Sequence, residues 1–177
     1  MDDFTICKNA LSYFNFELTQ DLYDEGTNKS VKACISKLDQ AKRKVQHESS
    51  WSFLVQKIEL KEEVNEESEN VSKMGYSHSF NLPTDLLIIT KVYTKEPYQR
   101  IAGQILTNDS SIEVYGMLNE MPSNLPLDFE DLISLSLAFI IAPVVSPLSK
   151  EVMDQIVNQY SWTVEALINS DLATRSK

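Results

Sequence analysis

Glycine is scarce in this chain: four residues among 177, at positions 26, 75, 103 and 116. Spaced so far apart, they leave no room for a glycine-rich phosphate loop, and no G-x-S-x-G elbow is present. Cysteine and histidine are as thin, with two of each. Neither His47 nor His78 lies in an H-E-x-x-H motif or has cysteine partners at zinc-like spacing, so no metal site and no cofactor is expected. His78 is expected to tip one strand face. His47 is expected to end a helix, where a cation suits the negative end of the dipole. Cys7 and Cys34 fall on the apolar stripes of two expected helices, as small buried hydrophobes in a reducing compartment. A serine–histidine pair or a carboxylate dyad can be picked from any chain this acidic, and an enzyme is the least favoured class.

Long apolar runs are missing too. The longest, Leu137 to Val145, has nine residues including Pro143, about half a membrane span. The N-terminus MDDFTICKNA is acidic and amphipathic, so no signal peptide is expected, and the chain reads as soluble and intracellular. The three Asn-x-Ser/Thr matches, at Asn28, Asn70 and Asn108, then read as chance. Positive charge is in deficit: 16 Lys and Arg against 26 Asp and Glu give a net −10. A free-standing nucleic-acid binder carries a basic footprint, which argues against specific DNA readout. An acidic surface can still let DNA slide past, because attraction to phosphate grows with each cationic contact.

What is present is ordinary globular material, 42% apolar and 24% charged, enough for one domain over residues 1–177. Phe4, Cys7, Leu11 and Phe14 are spaced for a short first helix. A connection over 15–27 ends in a turn, with Asn28 as a cap. Val31, Cys34, Ile35, Leu38, Ala41 and Val45 stripe a second helix. Its outer face is basic, with Lys29, Lys32, Lys37, Lys42, Arg43 and Lys44 against Asp39.

At Trp51 the period changes to two: Trp51, Phe53 and Val55 alternate with Ser52, Leu54 and Gln56, so a strand is expected to start there. The acidic stretch Glu59, Glu62, Glu63, Glu66, Glu67 and Glu69 predicts an exposed arm over 59–75, disordered in the isolated subunit. Tyr76, His78, Phe80 and Leu82 alternate with polar residues. Leu-Pro-Thr-Asp interrupts at 82–85, and Leu86–Tyr93 resumes as an apolar strand. Ile101–Leu106 and Ile112–Met117 flank Thr107–Ser111, the composition of a hairpin turn.

Helix signals return at Pro126, with Asp128, Glu130 and Asp131 favouring a helix start. The run Phe129, Leu132, Ile133, Leu137, Ile140 and Ile141 is apolar nearly all round, which predicts a central helix that Pro143 ends or kinks. Ser146-Pro147 caps a last helix striped by Val152, Met153, Ile156, Val157, Tyr160, Val164, Leu167 and Ile168. The expected fold is α+β. Four helices, two N-terminal and two C-terminal, form a bundle from 1–50 and 124–172, with a small antiparallel β-lobe over 51–118 inserted between them.

Four motifs stand in order along the chain: Trp51-Ser-Phe53, Phe80-Asn-Leu82-Pro83-Thr84-Asp85-Leu86, Pro126-x-x-Phe129, and Leu137-Ala138-Phe-Ile-Ile-Ala142-Pro143. In that order the chain, over about residues 4–172, resembles the head-to-tail connector (adaptor) proteins of tailed bacteriophages, nearest to the tail tubular protein A type. The resemblance implies a structural virion protein, assembled in the host cytoplasm. It would form a ring with itself, commonly of twelve copies, beneath the portal protein and above the next tail component, a nozzle or stopper. Double-stranded DNA would pass along the axis without sequence-specific binding. A neck stopper or tail-completion protein is the nearest alternative, and a small intracellular scaffold or binding module is the alternative from another class.

On this reading the basic Lys42, Arg43 and Lys44 pair with acidic Glu62, Glu63, Glu66 and Glu67 between adjacent subunits. A loose polar tail over 169–177, carrying Arg175 and Lys177, orders against the portal. Trp51, Phe53, Phe80, Leu82, Pro83 and Asp85 shape the arm and the lobe. Pro83 punctuates the passage from mobile arm to rigid sheet, with Leu86–Tyr93 as the inner strand.

Overall fold

Asp2 opens the first helix: its carboxylate accepts from the backbone N–H of Phe4 and Thr5 at 3.2 and 3.3 Å and caps helix α1, Asp3–Ser12. The computed structural model describes residues 2–62, 75–122, 125–145 and 150–175. Contacts divide the chain into two compact units, Met1–Ser52 with Pro122–Lys177, and Phe53–Met121. The whole is α+β, as expected, with five helices and seven strands among the described residues.

In the helical unit, α1 buries Ile6, Cys7, Ala10 and Leu11. A short helix α2, Gln20–Glu25, follows inside the stretch expected to be plain connection. It buries no residue, so no periodic stripe announces it. Thr19 caps its start, and Gly26, at φ 58°, ends it in the left-handed region that glycine enters without strain. The Asn28 side chain then accepts from Ser30 N at 2.8 Å and opens α3, Lys29–Glu48. The buried stripe of α3 runs Val31, Cys34, Leu38, Ala41 and Val45. Ile35, expected on that stripe, is instead 44% exposed, because it sits one residue round the helix from Cys34, at the stripe's edge.

Helix α4, Leu127–Val145, is the hub of this unit and packs against α1, α3 and the last helix. The Pro126 carbonyl accepts from Phe129 N and Glu130 N at its start. Asp128 and Glu130 stand in the first turn, where the helix dipole favours negative charge. Pro143 lies within the final turn, and the helix runs two residues past it to Val145. Helix α5, Lys150–Arg175, packs chiefly on α4. The expected Ser146-Pro147 cap falls outside the described residues.

The expected loose tail is a correction. Residues 169–175 continue α5, and Asp171 is only 6% exposed. Its carboxylate oxygens each accept from Ser52 N at 3.1 Å, and one also accepts from the Ser52 hydroxyl. A buried acceptor for a backbone donor is what a polar tail sequence conceals.

The strand expected from Trp51 is a second correction. Trp51 is fully buried, donates its indole N–H to the Val45 carbonyl at 2.8 Å, and meets Phe129 edge-on with ring centroids 5.5 Å apart. A one-turn 3₁₀ helix, Ser52–Leu54, follows, and extended pairing begins only at β1, Gln56–Ile58. The side chain that looked like one tooth of a strand is an anchor on the end of α3.

The β unit holds two antiparallel sheets. One has the order β1–β7–β4, with β4 Leu86–Tyr93 and β7 Glu113–Leu118. The other has the order β2–β3–β6–β5, with β2 Lys61–Glu62, β3 His78–Asn81, β5 Tyr98–Ile101 and β6 Gln104–Thr107. Ile58, Ile105 and Val114, from both sheets, form its core cluster, with Leu60, Leu82, Leu86 and Ile89 against it.

Two expectations fail here. Ile101–Leu106 and Ile112–Met117 do not form a hairpin: β6 pairs with β3 and β5, and β7 pairs with β1 and β4. The polar run after Thr107 therefore carries the chain from one sheet to the other. The tight hairpin joins β5 to β6 at Ala102-Gly103, both at positive φ, 46° and 83°. Nor is Leu86–Tyr93 an inner strand; β4 is an edge strand, and β7 is central. Its pairing with β7 slips twice, between Leu86 and Ile88 and between Ile89 and Lys91, the kind of irregularity that edges tolerate.

The proline between the two strand segments marks a change of sheet. Leu82 N still bonds the Gly103 carbonyl at 2.8 Å, prolonging the second sheet. Pro83, lacking a donor, then lets the chain leave the ladder. A turn closes from Leu86 N to the Pro83 carbonyl at 3.2 Å, and β4 starts in the other sheet.

Candidate interaction surface

Helix α3 carries its cations in two groups with different surroundings. In the C-terminal half, Lys42 Nζ lies 2.7 Å from Asp3 Oδ1 and ties α3 to the start of α1. Lys44 Nζ sits 5.0 Å from the Phe139 ring centroid and 4.8 Å from that of Tyr160, within cation–π range of both. The Tyr160 hydroxyl donates to Glu48 at 2.6 Å. Burial first, and then the Glu48 carboxylate, push that phenol well above its ordinary value, so it stays a neutral donor. Arg43 is exposed. Two of the three basic candidates thus have partners within their own chain.

The N-terminal half differs. Lys29, Lys32 and Lys37 are exposed and rim a groove of about 600 Å³ between α3 and the end of α4. Ala33 and Ile35 from α3, with Ile140 and Val144 from α4, give it an apolar floor. Ile35 and Val144 remain 44% and 43% exposed, so the floor is open. No cation of the rim makes an ion pair among the described residues. Sequence reasoning named these lysines as part of a basic face but not as a site. The signal lay in Ile35, an apolar residue flanked in space by lysines three residues before it and two after.

The acidic candidates are only partly described. Glu62 Oε1 lies 2.7 Å from His78 Nδ1, across the β2–β3 pair, and His78 stacks on Phe80 with centroids 6.5 Å apart. Glu63, Glu66, Glu67 and Lys177 lie outside the described residues, as do the rest of the expected arm over 63–74 and the side chain of Arg175.

The lobe-shaping candidates have structural partners. Phe80 is 5% exposed, Leu82 packs on the Ile58–Ile105–Val114 cluster, and the Asp85 carbonyl accepts from Asn119 N at 2.8 Å. Phe53 sits half-buried in the 3₁₀ turn after Trp51. Cys7 and Cys34 are buried free thiols, with Cys34 Sγ 3.9 Å from the Cys7 carbonyl. The hydrogen-bonded Cys7 and burial both push the Cys34 thiol up, which makes it a poor nucleophile.

Among the described residues no three His, Cys, Asp or Glu side chains cluster to hold a metal ion, and no helix is long and apolar enough to cross a membrane. No protein-family model matches the chain, and no curated protein matches it.

Proposed function

We propose that the chain is a structural subunit of the ring that joins the portal of a tailed-bacteriophage capsid to its tail. The observation that carries the reading is that each of the four ordered motifs stands at a joint of the fold. Trp51 locks the end of α3 against Phe129. Leu82-Pro83 turns the chain from one sheet to the other. Pro126 and Phe129 open the hub helix, and Ala142-Pro143 lies at its close. On this reading the four longer helices form a bundle, α2 is an ornament of its first connection, and the β unit is the inserted lobe.

The work of such a subunit is mechanical: it binds the portal above, the next tail component below, and its own neighbours. A net −10 per copy would sum to about −120 over twelve copies, a largely non-adhesive surface for DNA moving along the axis. The open groove on α3 would serve a small scaffold or binding module equally well, and that is the competing reading. Native mass spectrometry of the purified chain, with and without portal rings, separates them. A ring of copies that forms only on the portal is expected. A chain that ignores the portal and remains a monomer removes the connector reading.

A further inference from the structure

We infer that the basic groove of α3 receives the acidic 63–74 segment of a second copy of this chain. The inference deepens the ring reading, which requires a contact between neighbouring copies, and moves that contact from the Lys42–Lys44 end of α3 to the Lys29–Lys37 end. Lys42 and Lys44 are engaged with Asp3 and with the Phe139 and Tyr160 rings. Lys29, Lys32 and Lys37 face solvent round an uncovered apolar floor.

The occupant follows from charge and apolar pattern together. A three-cation rim over an Ile35–Val144 floor selects a segment with several acids and a few aliphatic anchors. Residues 63–74 read EVNEESENVSKM, with Glu63, Glu66, Glu67 and Glu69 against a single Lys73, and Val64, Val71 and Met74 as anchors. On a chain of net −10 such a segment gains most where cations cluster, and three stand together round the α3 groove. The segment is also held at its base: Lys61 pairs with Asn81, Glu62 pairs with Phe80, and Glu62 bonds His78. Its two flanking strands, β2 and β3, are thus neighbours in one sheet.

A groove and a segment are different surfaces of the same molecule. A contact between them on two copies is heterologous, the kind that closes into a ring when its rotation permits. A self-complementary patch would stop at a dimer.

The test mixes light and ¹⁵N-labelled full-length chain at high protein concentration and couples touching lysines and glutamates with a zero-length carbodiimide. Mixed-isotope cross-links from Lys29, Lys32 or Lys37 to Glu63, Glu66, Glu67 or Glu69 are expected. Carbodiimide cannot couple two carboxylates, so reversal of the rim (K29E, K32E and K37E together) is read by sedimentation instead, where self-association should weaken about tenfold, the size expected if the three exposed pairs jointly contribute little over 1 kcal/mol. Changing the four glutamates to lysine in the same chain restores the charge match with its polarity swapped, and should recover both the association and the cross-links between these positions, which also excludes loss by misfolding. Cross-links confined to one isotope would make the contact internal to a copy and overturn the inference, as would their absence. Rings that still form on a portal without these cross-links would sink this contact alone. Cross-links without any portal capture would sink the ring reading and leave the contact standing.

Discussion

In the helical unit large side chains do the holding: Trp51, Phe129, Leu132, Ile133, Leu137 and Ile141 are sealed from solvent around α4. In the β unit, Ile105 and Met117 alone among the described residues join that set of large sealed side chains. Its cohesion leans instead on backbone approach and on polar turns. Gly116, in the central strand, lies so close to β4 that a methyl group there would come 2.4 Å from the Ile88 carbonyl oxygen. Asp109 accepts from the Thr94 hydroxyl and from the backbone N–H of Glu96 at 3.0 Å, and Asn108 accepts from Ser77 N at 2.9 Å. One unit should therefore be sensitive to lost volume, the other to added volume and to acid.

The largest effect is expected at the volume-dependent end. Trp51→Ala should cost about 3–5 kcal/mol, since it empties the contact with Phe129 and strips the Val45 carbonyl of its donor. Denaturant unfolding followed by circular dichroism measures it. A cost below 1 kcal/mol would mean that Trp51 anchors nothing.

Gly116→Ala should come next, at about 1–3 kcal/mol for overpacking against backbone. Hydrogen exchange should rise along β4 and β7 and stay unchanged in α4. Equal loosening of both units would erase the contrast between them.

Asp109 sharpens the comparison through pH. The Thr94 hydroxyl, followed by the Glu96 backbone N–H, holds its carboxyl below the ordinary carboxylate value. A group whose folded pKa is depressed contributes stability above its unfolded pKa, near 3.9, and loses that contribution as pH falls through the folded value. Exchange protection around 94–96 should therefore fall in acid in the native chain. In Asp109→Asn it should already be reduced at neutral pH and change little on acidification. A variant with the native acid profile would assign the protection to other groups.

The smallest effect should be favourable. Ser136 is fully buried in α4, and its hydroxyl finds no partner among the described residues. Ser136→Ala should be neutral or stabilising by up to about 1 kcal/mol, because an unpaired buried hydroxyl is removed and helix propensity improves. A clear loss of stability would expose a hidden partner.

Legibility in the sequence followed the same divide. Helices with a buried stripe and a cap residue were readable: Asn28 before α3 and Pro126 before α4 stand at the starts of their helices. The short α2 was not, because six residues that bury nothing leave no periodicity. Strand segments were readable as segments, but their partners were not. Thr107–Ser111 has the composition of a hairpin turn and serves as a crossover, whereas the true hairpin turn holds an alanine at φ 46° that no composition rule selects. Trp51 and Asp171 misled for one reason: their roles depend on hydrogen bonds to Val45 and Ser52, which exist only once the helices have met. The basic face of α3 was visible, but which of its lysines stay unpaired depends on Asp3, Phe139 and Tyr160 lying beside it.

The proposed role, a ring subunit on a portal, stands or falls on assembly. Single-particle electron microscopy of purified chain mixed with portal rings tests it most directly. A closed ring of copies seated on the portal, with an axial channel wide enough for a DNA duplex, is expected. Bare portal rings beside free chain, at concentrations where the chain is folded, would contradict it.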